Sequence, residues 1–200
     1  MNLYIGKLAS DFTAKAVMSD NVINENFNLK KYLKGHIGVV FFYPLDFTFV
    51  CPSEIIAFNN RISEFISRKA KIVAVSVDSH FSHYAWKSLP INNGGINSVQ
   101  FPMVSDIKKE ISNSYGVLSE DGFAYRATFV IDDQFVIRHY LVNDLPIGRN
   151  VNETIRIIDA LEHHRVHGEV CPAGWNRGEK GIKPDSYSVT EYLISKADSL

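Results

Sequence analysis

The chain has 200 residues, 46% of them hydrophobic, and 21 Lys and Arg against 22 Asp and Glu leave a formal net charge of -1. That length suits one sizeable domain with a real core, and the balanced charge argues against electrostatic binding to nucleic acid or to an acidic membrane surface. The opening Met1-Asn2-Leu3-Tyr4-Ile5-Gly6-Lys7 lacks a signal-peptide core, and no apolar run approaches the roughly 20 residues that span a bilayer, so a cytoplasmic protein is expected.

Residues 37–43 are almost continuously apolar, as a strand buried on both faces should be, whereas Ile55, Phe58, Ile62, Phe65 and Ile66 recur at helical spacing. Cys51 falls between the two. Pro52 suits a first helical position and Glu54 stands three residues after Cys51, the spacing of a capping box, which puts Cys51 at or beside the N-cap. Free N–H groups and the positive end of the helix dipole stabilise an anion there, and the thiolate is the reactive form of cysteine. Most cysteines in soluble proteins simply fill space, but Thr48 lies one helical turn before Cys51, where its hydroxyl would face the sulfur, and Pro44 brackets the other side.

Residues 71–77 read as a second buried strand, completing a β-α-β unit with a parallel pair and a right-handed crossover. Cys51 then lies at the carboxyl end of a strand, the edge where open α/β sheets place their ligands. Residues 79–87 and 107–115 read as short helices, the latter with Asp106 as N-cap, and Trp86 is expected to pack in a core or an interface. Residues 125–131 and 135–141 read as antiparallel strands joined at Asp132-Asp133. Asn150 with Glu153 opens a helix whose Val151, Ile155, Ile158 and Leu161 form one apolar face, expected to pack on the sheet.

Beyond His167, four glycines (168, 174, 178 and 181) with Pro172 and Pro184 interrupt any period before a last helical stretch near residues 189–196. The chain thus reads as an α/β domain over residues 1–165, with a central mixed sheet flanked by helices, and a C-terminal arm over residues 166–200. His163 and His167 have the i, i+4 spacing of a zinc pair, but no acidic or cysteine ligand accompanies them in sequence, and cationic side chains are ordinary near a helix C-terminus. No metal and no cofactor are expected, because no phosphate-binding glycine loop, flavin site or haem motif occurs.

Cys51 and Cys171 are the only two cysteines, far apart in the chain and with no Cys-x-x-Cys, which disfavours a dithiol exchanger while leaving a redox pair open. The arm segment Gly168-Glu169-Val170-Cys171-Pro172-Ala173-Gly174-Trp175 needs a surface for Val170 and Trp175. Two solutions exist. The arm folds over its own domain, or it crosses to a second subunit and brings Cys171 of one chain toward Cys51 of the other.

Over essentially its full length the chain resembles a typical two-cysteine peroxiredoxin of the alkyl hydroperoxide reductase C class. The resemblance rests on Pro44-x-x-x-Thr48-x-x-Cys51 within Phe47-Thr48-Phe49-Val50-Cys51-Pro52, on the Cys171 segment quoted above, and on Arg126 before Ala127-Thr128-Phe129-Val130-Ile131-Asp132. It implies a thioredoxin-like fold and a thiol-dependent peroxidase acting on hydrogen peroxide and organic hydroperoxides in antioxidant defence. Cys51 would form a sulfenic acid, with Thr48, Pro44 and Arg126 completing the active site and Glu54 and Arg149 orienting Arg126. An intersubunit disulfide with Cys171 would follow, reduced by thioredoxin or a dedicated flavoprotein disulfide reductase. A homodimer that assembles into ring-shaped decamers is implied as well. Two motifs depart from the overoxidation-prone pattern, Gly94-Gly95-Ile96-Asn97 in place of Gly-Gly-Leu-Gly and Tyr192-Leu193 in place of Tyr-Phe, so high sensitivity to overoxidation is not expected. The rival from another class is a chaperone that holds unfolded clients, to which no residue here points directly.

Overall fold

The computed structural model describes residues 4–97 and 99–199. Its strands are β1 (Thr13–Val17), β2 (Ile23–Asn28), β3 (Ile37–Phe42), β4 (Ala70–Ser76), β5 (Met103–Ser105), β6 (Arg126–Ile131) and β7 (Ile137–Asn143). They form one seven-stranded sheet in the order β2-β1-β5-β4-β3-β6-β7. β3 runs parallel to β4, and β4 to β5, while β6 is antiparallel to β3 and β7 to β6, so the sheet is mixed as expected. β3 and β4 are apolar and buried along nearly their whole length, which is what strands covered on both faces require. β1, β2, β5 and a short helix α1 (Leu29–Leu33) extend the sheet beyond what the sequence reading identified. Their runs are brief and half-polar, so periodicity gives them little signal.

The helix after β3 is two helices, α2 (Cys51–Asn60) and α3 (Ile62–Ser67), which part at Arg61. α4 (His80–Ser88) has Ser79 as its N-cap, its hydroxyl accepting from the backbone N–H of Ser82. α5 (Glu110–Ser114) is shorter than expected, because Lys109 takes a left-handed backbone at φ 63°. Asp106 is not its N-cap residue; its carboxylate instead accepts from the backbone N–H groups of Ile111 and Ser112. α6 (Val151–His167) and α7 (Ser186–Lys196) follow. Residues up to Val151 form one compact unit and those from Asn152 a second. Val151, Ile155 and Ile158 are buried as expected, and Leu161 is half-buried. No helix among the described residues is long and apolar enough to cross a membrane.

An aromatic stack fixes α2 over the sheet. The ring of Phe58 on α2 lies parallel to that of Phe41 on β3, 4.6 Å between centroids, with Phe65 of α3 and Phe101 against the edges of the pair. All four rings are buried. Parallel packing holds the helix axis, and hence its first residue, at a fixed height above the end of β3. Phe58→Ala is expected to cost about 3–5 kcal/mol in urea unfolding, with Phe58→Leu costing much less because the volume is partly refilled.

Candidate active site

β3 ends at Phe42 and the chain crosses residues 43–50 before α2 begins at Cys51. Cys51 is the first helical residue; the N-cap is Val50, which has no side-chain cap, and Pro52 is therefore second rather than first. Cys51 is a buried free thiol. The expected capping box does not form. Glu54 turns away from the helix start because two arginines compete for it.

Those arginines come from distant segments. β6 is antiparallel to β3 with Phe41 opposite Thr128, so Arg126, two residues earlier on β6, sits at the carboxyl end of β3. Its Nη1 donates to Glu54 Oε2 at 2.7 Å and to Cys51 Sγ at 3.4 Å, and its Nε donates to the Leu145 carbonyl at 2.5 Å. Arg149 grips the same carboxylate as a fork, Nε to Oε1 and Nη2 to Oε2, both at 2.8 Å, and its backbone N–H adds a third donor at 2.9 Å. Its Nη1 donates to the carbonyls of Phe42 and Ala127, tying the ends of β3 and β6 together, and its guanidinium lies over the Phe41 ring.

The Glu54, Arg126 and Arg149 side chains are 3%, 5% and 1% exposed. Burial alone pushes the Glu54 carboxyl up, but hydrogen bonding and charge from Arg149, with the charge of Arg126, hold it below its ordinary value. A single carboxylate thus compensates two buried guanidiniums and leaves one Arg126 N–H aimed at sulfur.

The loop before Cys51 rests on a buried polar cluster that sequence reading missed. The Asp46 carboxylate accepts from the Tyr43 hydroxyl, the Ser82 hydroxyl and His83 Nδ1 at 2.7, 2.7 and 2.8 Å, and the Asp46 backbone N–H donates to Asp78. Its members are polar residues scattered over the loop after β3, the turn after β4 and α4, so no local spacing announces them. Pro44 is buried. The Thr48 hydroxyl donates to the Leu45 carbonyl at 2.8 Å, so its proton is committed within its own loop and is not directed at the sulfur. Phe47 adopts a left-handed backbone at φ 56°, strained for an aromatic residue, and its ring leans on Trp86. Trp86 is core, as expected, and donates to the Gly94 carbonyl. Gly95 is obligatory there: an added Cβ would lie 2.0 Å from the Leu89 carbonyl oxygen.

Cys171 lies in the second compact unit, half-buried, and donates to the Ala160 carbonyl of α6 at 3.5 Å. Burial raises its thiol above the ordinary value, with Arg156 opposing and Glu169 reinforcing the shift. The His163 and His167 rings lie 4.6 Å apart and tilted, but His163 Nε2 is taken by Glu169, and no cluster able to hold a metal occurs among the described residues.

Comparison with known proteins identifies the family. Residues 5–140 match the AhpC/TSA family and residues 160–194 match the C-terminal domain of 1-Cys peroxiredoxin. An alkyl hydroperoxide reductase C of Helicobacter pylori is 49% identical over 191 residues, 96% of each chain. A peroxiredoxin-1 of Gekko japonicus is 52% identical over 193 residues, again 96% of each. The crystal structure of reduced Plasmodium vivax 2-Cys peroxiredoxin, 44% identical, superposes with a TM-score of 0.93 over 96% of this chain and 100% of that one. The matches run over nearly the whole length of both chains, so the chain belongs to the AhpC/TSA family and is a peroxiredoxin, a thiol-dependent peroxidase.

Proposed function

We propose that Cys51 is the nucleophile that reduces hydrogen peroxide and organic hydroperoxides, and that Cys171 of a partner subunit resolves the product. The carrying observation is the Arg126 N–H directed at the buried Cys51 sulfur from 3.4 Å, at the start of α2. A guanidinium donor and a helix N-terminus both turn positive electrostatic potential toward that sulfur. The thiolate attacks the terminal oxygen of the peroxide, the O–O bond breaks, and the departing oxygen takes a proton to leave as water or an alcohol while Cys51 becomes a sulfenic acid. Negative charge develops on the leaving oxygen, where Arg126 supplies a fixed donor. Thr48, its proton committed to Leu45, is left with lone pairs to accept from the peroxide O–H. Pro44 excludes water on the remaining side.

In the second step the Cys171 thiol condenses with the sulfenic acid, forming a disulfide and releasing water. An external dithiol, on thioredoxin or a dedicated flavoprotein disulfide reductase, then reduces the bond by exchange. Cys51 is buried, so its first helical turn must open for this. Val50 offers no side-chain cap, which keeps the cost of opening low. The working unit on this reading is a homodimer, with decamers built from dimers, acting in the cytoplasm in antioxidant defence. The domain reading is the same: a peroxidase domain over residues 1–165 and a resolving arm over residues 166–200.

Arg126→Met is expected to lower the second-order rate constant for Cys51 oxidation about 10²–10³-fold, read by rapid mixing with peroxide. Oxidised wild type should migrate as a covalent dimer on a non-reducing denaturing gel, whereas Cys171→Ser should consume one equivalent of peroxide and then stop. A monomer that has lost both thiols would place the disulfide within one chain instead. Glu54→Gln leaves two buried guanidiniums uncompensated and is expected to destabilise the protein by about 3–5 kcal/mol at neutral pH. Because the Glu54 carboxyl is held below its ordinary value, its contribution is complete above that ordinary value and is lost as pH falls through the lowered one. The stability gap between wild type and Glu54→Gln should therefore close in acid, as followed by urea unfolding across pH.

A further inference from the structure

We propose that His163 is a positioning residue for the resolving step: it latches the segment carrying Cys171 against α6, and the strength of the latch sets how quickly Cys171 is delivered. This rests on the reading of Cys171 as the resolving thiol.

Both flanks of Cys171 close on one imidazole. Two residues before the cysteine, the Glu169 carboxylate accepts from His163 Nε2 at 2.9 Å. Four residues after it, the buried Trp175 indole packs on the same ring with 4.8 Å between centroids. The returning chain completes the clamp, since the Gly181 N–H donates to the same Glu169 oxygen at 3.1 Å. The fit there is tight enough to demand glycine: a Cβ on Gly181 would lie 2.7 Å from both Glu169 Oε2 and His163 Nε2.

Held this way, Cys171 is unproductive. Its S–H is turned back onto the Ala160 carbonyl of α6, so bonding to any other sulfur requires the segment to swing away. Swinging away breaks the His163–Glu169 hydrogen bond and lifts Trp175 from the ring. The latch therefore opposes condensation and leaves Cys51 oxidation, which involves neither flank, untouched. Delay has a chemical consequence. While the sulfenic acid waits, its sulfur can attack a second peroxide, breaking another O–O bond and giving sulfinic acid plus water or alcohol, so latch strength sets the partition between disulfide and sulfinic acid.

The test is rapid mixing of full-length reduced protein with hydrogen peroxide, following Cys51 oxidation and disulfide formation separately, with mass spectrometry for sulfinic acid at excess peroxide. His163→Phe keeps a ring under Trp175 and removes the hydrogen bond. It should leave the Cys51 oxidation rate within about twofold of wild type, speed condensation about 3- to 10-fold, and lower the sulfinic fraction correspondingly. Glu169→Gln retains an oxygen that accepts from His163 and Gly181, and should stay near the wild-type condensation rate. Glu169→Ala removes the same bond from the arm side and should reproduce His163→Phe, which keeps the test decisive if the latter misfolds. Condensation unchanged or slowed in both His163→Phe and Glu169→Ala overturns the latch. Wild type that forms no Cys51–Cys171 disulfide overturns the resolving role itself.

Discussion

One carboxylate holds this protein's active site together. Glu54 stands between Arg126 and Arg149 in a nearly dry environment, and neither arginine would be tolerable there without it. Because Arg149 also bonds the carbonyls of Phe42 and Ala127, the pair fixes the ends of β3 and β6 relative to the first turn of α2. The aromatic stack of Phe41 and Phe58 sets the same geometry from the apolar side. Charge and packing thus converge on one requirement, that the Cys51 sulfur meet a guanidinium N–H.

The loop from Tyr43 to Val50 is supported differently. Asp46 gathers three side-chain donors beneath it, so the loop's base is rigid, while Phe47 keeps a strained backbone and Phe49 points almost wholly outward at 97% exposure. The contrast suits a nucleophile with two tasks. On the proposed function, a fixed base would position Cys51 for peroxide, and an uncapped helix start would let the same residue come away to form a disulfide. Tighter capping by a serine or aspartate at position 50 would stabilise the first task at the expense of the second.

The second compact unit applies the same logic to the other thiol. Cys171 donates its S–H to the Ala160 carbonyl, and both its flanks close on His163. The two thiols lie in separate compact units of the chain, each held by its own set of contacts.

Much of this is legible in the sequence. The apolar runs of β3 and β4 mark buried parallel strands, and the switch from strand to helical spacing places Cys51 at a helix start, because a side-chain period follows directly from backbone geometry. The signature around Cys51, the Cys171 segment and Arg126 identified the chemistry. What the sequence could not determine is which partner each polar group takes. Glu54 has the spacing of a capping residue and becomes the counter-ion of two arginines 72 and 95 positions away. Thr48 has the spacing to face the sulfur and donates instead to Leu45. Asp46, Ser82 and His83 form a cluster with no local pattern, and His163, spaced from His167 as for a metal, is instead bonded to Glu169. Periodicity and turn chemistry are local and survive in one dimension. Ion pairs and buried hydrogen bonds are contests among all nearby donors and acceptors, and only the packed chain decides which of them are near.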